Sequence, residues 1–243
     1  MLTKRLPRLT GLAVALAAAT LAVTAVSAPV HLSSDALRQL EHDSGVPWIA
    51  LGDDPATGTG YYLRPSRPLQ PWLAAGEDPM HGALRFFTTY RGIFQMVDPA
   101  HELKVYGRGG GQSVQAAFFT QVEGGVPVVD TGMSIEFDGD GRINLVEGRF
   151  LPHLHGFSTT HALSPAAVKV IARDAMARRF PAVRHPALAD SPAPLLCITA
   201  VGRTPKLGYQ LTVDYGDAPH VMSYVIDASS GAILSELPVA LSP

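Results

Sequence analysis

From residue 78 onward the chain switches between two hydrophobic periods. In "DPMHGALRFFTTYRGIFQM" (78–96) Met80, Leu84, Phe87 and Phe94 recur at helical spacing, which predicts one buried helix face. Asp78 suits the N-cap of that helix and Pro79 its first position. "DPAHEL" (98–103) repeats the cap-then-proline start in a shorter turn. From Val105 the period becomes two. "SVQAAFFTQV" predicts a strand, and "MSIEF" sets Met133, Ile135 and Phe137 on one side with Ser134 and Glu136 on the other. "RINLVEGRF" is its predicted partner across the turn "DGDG", where Asp140 and Gly141 form the corner.

The same order then recurs. "SPAAVKVIARDAMARRFP" opens with Ser164 as cap and Pro165 in the first turn, buries Val168, Ile171, Ala172 and Ala175, and stops at Pro181. Arg178 and Arg179 fall in its last turn, where the helix dipole favours cations. "LLCITAV", "GYQLTVDY" and "VMSYVI" follow as strands, with Tyr209, Leu211, Val213 and Tyr215 facing the core. The last strand turns through Asp227 and Gly231 into "AILSEL". Helix then antiparallel strands, stated twice, predicts an α+β fold of two units, each a helix packed on an antiparallel sheet. There is no βαβ alternation, which argues against a dinucleotide fold.

Other stretches carry weaker patterns. "SSDALRQLEHDSG" (33–45) predicts a short helix stopped by glycine. The proline-, glycine- and aspartate-rich segment after it predicts an extended arm, anchored by Trp48, Tyr62 and Trp72 and outside any core. "LPHLHGFSTTHA" (151–162) has no sustained period and reads as a linker, and "GRGGGQS" (107–113) as a loop between strands.

Composition changes the picture at the N-terminus. Lys4, Arg5 and Arg8 precede an uncharged apolar run (11–28) ending in small residues, the pattern of a secretory signal peptide cleaved near Ala28. The alternative is a retained membrane anchor, for which the run is short and alanine-rich, so no stable membrane span is expected after cleavage. The leader holds three of the 19 Lys+Arg and none of the 21 Asp+Glu, which leaves 16 basic against 21 acidic residues. That balance offers no basic surface for nucleic acid. Cys197 is the only cysteine, so there is no intramolecular disulfide and no cysteine metal cluster; it reads as a buried core thiol.

"DGDGRINLVEG" fails the calcium-loop pattern, because its fifth, sixth and twelfth positions are Arg142, Ile143 and Arg149. His101-Glu102 is not followed by the second histidine that a zincin helix needs. His153, His155 and His161 lie close together without an accompanying carboxylate or cysteine; a metal site and solvated histidines are the two accounts. No nucleophile elbow and no phosphate-cradling loop is present. The chain is read as a non-enzyme without cofactor or metal.

Two stretches carry a family resemblance. "GALRFFTTYRGIFQMVDPAHELKV" with "AAFFTQVEGGVPVVDTGMSIEFDGDGRINLVEGRF" resembles the fungalysin/thermolysin propeptide domain. The matching features are Gln121 in its strand, the corner Gly125-Val126-Pro127-Val128, the Asp140-Gly141 hairpin and the closing Gly148-Arg149. One departure is "TQVEGG", where the family has an aromatic after the glutamine and a single glycine. "ALSPAAVKVIARDAMARRF" with "GYQLTVDY" and "YVIDASSGAIL" resembles a PepSY domain, a cystatin-like helix on a sheet.

With the leader over 1–27, the arm over 28–75 and the linker over 153–161, the resemblance implies a propeptide-like domain over 76–152 and a PepSY-like domain over 162–237, followed by a tail over 238–243. In thermolysin-like precursors a zinc peptidase follows such a prosegment; here the sequence stops at Pro243. The implied function is a secreted or periplasmic, non-catalytic protein that binds a thermolysin-like zinc metallopeptidase as inhibitor or folding chaperone. An orphan prosegment of a split or truncated precursor, or a PepSY module binding peptides or envelope components, are the alternatives. Residues implied in partner binding are Gln121, Val126, Pro127 and Val128 at the corner, and Leu237, Val239, Leu241 and Pro243 at the end. Asp140, Gly141, Gly148, Asp227 and Gly231 are implied as turn formers.

Overall fold

A computed structural model describes residues 34–53, 60–111, 113–181, 192–201, 204–214 and 221–239. The leader, Tyr215, Leu241 and Pro243 lie outside them. No helix among the described residues is long and apolar enough to cross a membrane.

The fold is α+β, built on two antiparallel sheets. Strands β1 (Trp48–Asp53), β2 (Gly60–Pro65), β3 (Leu103–Gly110), β4 (Val114–Glu123), β5 (Val126–Pro127), β6 (Gly132–Asp138) and β7 (Ile143–Arg149) form the first. Its order is β1-β2-β7-β6-β4-β3, with β5 paired to the end of β4. Strands β8 (Leu195–Val201), β9 (Thr204–Asp214), β10 (Val221–Asp227) and β11 (Ile233–Val239) form the second, in the order β11-β10-β9-β8.

One face of each sheet is covered by a helix. Helix α1 spans Ser34–Ser44 and α2 spans Pro79–Thr89, where Asp78 accepts from the Met80 N–H at 2.9 Å. Helix α2 lies on the first sheet; Phe87 meets Phe119 of β4 edge-on, with ring centroids 5.8 Å apart. It ends at Thr89, so its buried strip is Met80, Ala83, Phe86 and Phe87; Leu84 is only half-buried, and Phe94 enters the core from the turn beyond Arg91–Ile93. Helix α3 (Pro99–Glu102) is one turn. Helix α4 (Pro165–Arg179), capped by Ser164 through the Ala167 N–H at 3.3 Å, lies on β9 and β10 and buries Val168, Ala172, Ala175 and Met176.

Three expectations need correction. Residues 46–53 and 60–65 do not form an arm outside the core. Strands β1 and β2 extend the first sheet through Leu63↔Val146, and Leu40, Trp48 and Leu63 are buried among its core residues. The short apolar runs of this segment find partners: β1 pairs with β2, and β2 with β7. Residues 153–161 are not a free linker either, because Leu154 is buried and Phe157 packs with it in the core under α4. The glycines at 107–110 continue β3 rather than forming a loop.

Candidate functional site

Gln121 ends up inside the molecule. Its Nε2 donates to the Leu151 carbonyl at 2.7 Å, and its Oε1 accepts from the Leu151 N–H at 2.8 Å. Its backbone carbonyl accepts from the Val128 N–H at 2.9 Å. The corner that follows joins the two sheets. Val126 and Pro127 pair with Glu123 and Val122, while Val128 is buried in the second core and forms a parallel bridge with Ile198. The Val129 N–H donates to the Ile198 carbonyl at 2.8 Å. Asp130 takes a left-handed conformation (φ +58°) to make this turn, and the Thr131 hydroxyl donates back to the Val128 carbonyl. The side chains of Gln121 and Val128, named above for partner binding, are buried and spent on internal contacts. Val126 and Pro127 are half-buried.

The turn residues sit as follows. Gly141 (φ +75°) closes the hairpin between β6 and β7, with Asp138 Oδ1 accepting from the N–H groups of Asp140 and Arg142 at 2.9 Å each. Gly148 (φ +144°) lies so close to β6 that a Cβ there would stand 2.2 Å from the Gly132 carbonyl oxygen. Asp227 accepts from the Ser229 and Ser230 N–H groups at 2.9 and 2.8 Å, and Gly231 (φ +77°) completes that turn.

What the fold leaves accessible is the sheet face away from α2. In β4, Ala117 and Phe119 point into the core, so the adjacent Phe118 points out and is 37% exposed. Strand register aligns Gly107, Phe118, Ser134, Glu147 and Tyr62 as one row across β3, β4, β6, β7 and β2. A register shift in β3 makes Tyr106 an extra residue between Val105 and Gly107, and its side chain, 81% exposed, stands over the row. Tyr62, Tyr106, Phe118, Ser134 and Glu147 line an open groove of about 540 Å³. The Ser134 hydroxyl makes a long 3.5 Å hydrogen bond to Glu147, the one carboxylate among the described residues of the groove wall.

Comparisons with known proteins add little. No family model matches the chain, and no curated protein matches it. Among solved structures it is similar to the Bacillus megaterium YpeB C-terminal domain, at 13% identity over 86% of this chain and 99% of that one. The TM-score is 0.37, too low for the likeness to carry any argument.

The face of the second sheet away from α4 is only partly open, with Cys197, Val221 and Val225 buried on it. Leu237 of β11 stands beside Ser223 and Thr212 on it and is 60% exposed, with Val239 beside Val221 in the next row. On the other face of β11, Glu236 meets α4, pairing with Arg179 at 2.8 Å and accepting from the Tyr224 hydroxyl at 3.3 Å. Cys197 is fully buried, and its burial pushes the thiol pKa up to about 11, which leaves it inert as a nucleophile. His153, His155 and His161 are exposed. Among the described residues no group of three or more His, Cys, Asp or Glu is placed to hold a metal ion.

Sequence reasoning missed Tyr106, Phe118, Tyr62 and Glu147. The signal was present in "AAFF": two adjacent phenylalanines in a strand cannot face the same side.

Proposed function

We propose that this protein is a non-catalytic module that binds a folded or extended polypeptide on its uncovered sheet faces. The observation that carries this is the groove in front of Tyr106 and Phe118. Exposed aromatic residues over a sheet face are the composition of a binding hot spot, with large contact area at low entropic cost. The groove's ionisable groups are Glu147 and two tyrosines, a set suited to recognition rather than to acid–base chemistry.

The finer proposal takes its partner from the sequence resemblance: a secreted thermolysin-like zinc metallopeptidase, bound as inhibitor or folding chaperone, with this chain acting in the envelope or outside the cell. The first sheet would correspond to the propeptide-like domain and the second to the PepSY-like one. Leu237 and Val239 remain available for contact. Because the partner would be a separate chain, the interface must supply its own affinity without the high effective concentration of a covalent prosegment.

The test is titration of the protein against thermolysin-like peptidases from the same organism, following peptide hydrolysis and gel filtration together, with refolding yield of the peptidase as a third readout. Saturable inhibition or rescued refolding, with a stable complex, is expected. If none of the peptidases is inhibited, refolded or bound, the metallopeptidase partner is wrong. Capture of envelope peptides abolished by Tyr106→Ser would then support the coarser module.

A further inference from the structure

A second cavity, of about 170 Å³, lies on the helix-covered side of the first sheet, beneath α1. Phe86 forms its floor. The rings of Trp48 and Trp72 pack on Phe86 with centroids 6.2 and 5.7 Å away, and Tyr90 stands 5.1 Å from the same ring. Both indole donors are already used. Trp48 Nε1 donates to Ser44 Oγ at 3.1 Å, and Trp72 Nε1 donates to the Gly82 carbonyl at 2.8 Å. What the indoles leave for the cavity is π surface.

One charged group lines this space, the carboxylate of Asp43. It accepts from Gln39 Nε2 at 2.7 Å and from the Tyr90 hydroxyl at 3.4 Å, and its side chain is 36% exposed, which puts it at the mouth. Hydrogen bonds from Gln39 and then His42 hold its pKa below the ordinary 3.8, so it is ionised at neutral pH. Trp72 already carries one cation, the Arg85 guanidinium, whose carbon lies 4.4 Å from the ring centroid. That guanidinium is tied to Glu77 and to the Trp72 carbonyl and does not line the cavity.

We propose that this cavity is a binding site for a small organic cation, an alkyl- or quaternary ammonium group. Aromatic faces attract such a cation through their quadrupoles, and the methyl groups of a quaternary ammonium fill an apolar space without needing hydrogen-bond acceptors. An apolar cavity of about 150 Å³ holds a benzene molecule, so 170 Å³ admits a head group of roughly that size. Asp43 at the mouth selects against anions and favours the charged ligand over its neutral isostere. The site lies on the other side of the sheet from the groove, and it stands or falls independently of the polypeptide partner.

The chain has two tryptophans, and both line this cavity, so intrinsic fluorescence reports on it directly. The full-length protein is titrated with choline, with tetramethylammonium and with 3,3-dimethyl-1-butanol, the neutral isostere of choline. The expected result is a saturable fluorescence change with the cations and binding of the alcohol at least about tenfold weaker. Asp43→Asn, which keeps an acceptor for Tyr90, weakens choline by a similar factor while leaving the melting temperature in place. Phosphatidylcholine vesicles that sediment the protein, competed by free choline, assign the ammonium to a lipid headgroup; choline binding without sedimentation assigns it to a soluble compound. No saturable change with either cation, or equal affinity for the alcohol, overturns the proposal and leaves an apolar void.

Discussion

The side-chain amide of Gln121 and the backbone of Leu151 close a ring of two hydrogen bonds, 2.7 and 2.8 Å long, across thirty residues of chain. Both partners are buried. The ring fastens the end of β4 to the segment leaving β7, at the point where the chain crosses toward the second sheet. Gln121→Leu strands a donor and an acceptor of Leu151 in an apolar setting. A loss of about 2–4 kcal/mol of unfolding free energy is expected from chemical denaturation. A change under about 0.5 kcal/mol would mean that water replaces the amide.

Glu102 plays a comparable part in the "DPAHEL" turn. Its buried carboxylate accepts from the Val97 and Asp98 N–H groups at 2.9 and 2.8 Å. Glu102→Ala should cost about 1–3 kcal/mol, and the turn's amide protons should lose protection in hydrogen exchange. Unchanged protection at Val97 and Asp98 would contradict this role.

Two glycines with positive φ should respond differently to alanine. At Gly148 a Cβ meets the Gly132 carbonyl at 2.2 Å and Met133 Cα at 2.7 Å, both backbone atoms of a buried strand pair. At Gly125 (φ +81°) nothing lies within 4 Å. Gly148→Ala is expected to cost more than ~2 kcal/mol, and Gly125→Ala about 1 kcal/mol from conformation alone. Equal effects would show that the strands separate to accommodate the methyl group.

Acid should weaken the turn at Asp227. The Ser230 N–H, then that of Ser229, holds this carboxyl below its ordinary 3.8. A depressed folded-state pKa gives stability that is fully present above 3.8 and is lost as pH falls through the lower folded value. Asp227→Asn should therefore melt below the wild type at neutral pH, with the gap closing as pH drops past that value. A gap that stays constant with pH would assign the effect to geometry rather than charge.

Tyr106 and Phe118 separate binding from stability. Tyr106→Ser should leave unfolding within about 0.5 kcal/mol of wild type and weaken the polypeptide complex by about 2 kcal/mol, read by titration. Phe118→Ala should also cost about 1 kcal/mol of stability, because the ring covers Gly109 of the edge strand; a Cβ at Gly109 would stand 2.7 Å from it. Full binding by the Tyr106 variant would remove the groove from the interface.

Local signals in the sequence were enough for the α+β class and for most elements, though not for β1, β2 and the end of β3. Asp78-Pro79 and Ser164-Pro165 start helices because a side-chain acceptor and a fixed φ act within one turn. Met133, Ile135 and Phe137 alternate into the core because successive strand residues point to opposite faces. Tertiary structure decided the rest. Tyr62 meets Glu147, Val128 meets Ile198, and Trp48 and Trp72 meet Phe86. Each contact joins a well-marked element to a segment whose own pattern is short and indistinct. Whether a proline-rich stretch stands off as an arm or supplies two strands depends on the strand edge waiting beside it, and no local period records that edge. The same holds for Gln121, an ordinary polar strand residue in the sequence, whose burial follows from the distant backbone of Leu151 offering both a donor and an acceptor.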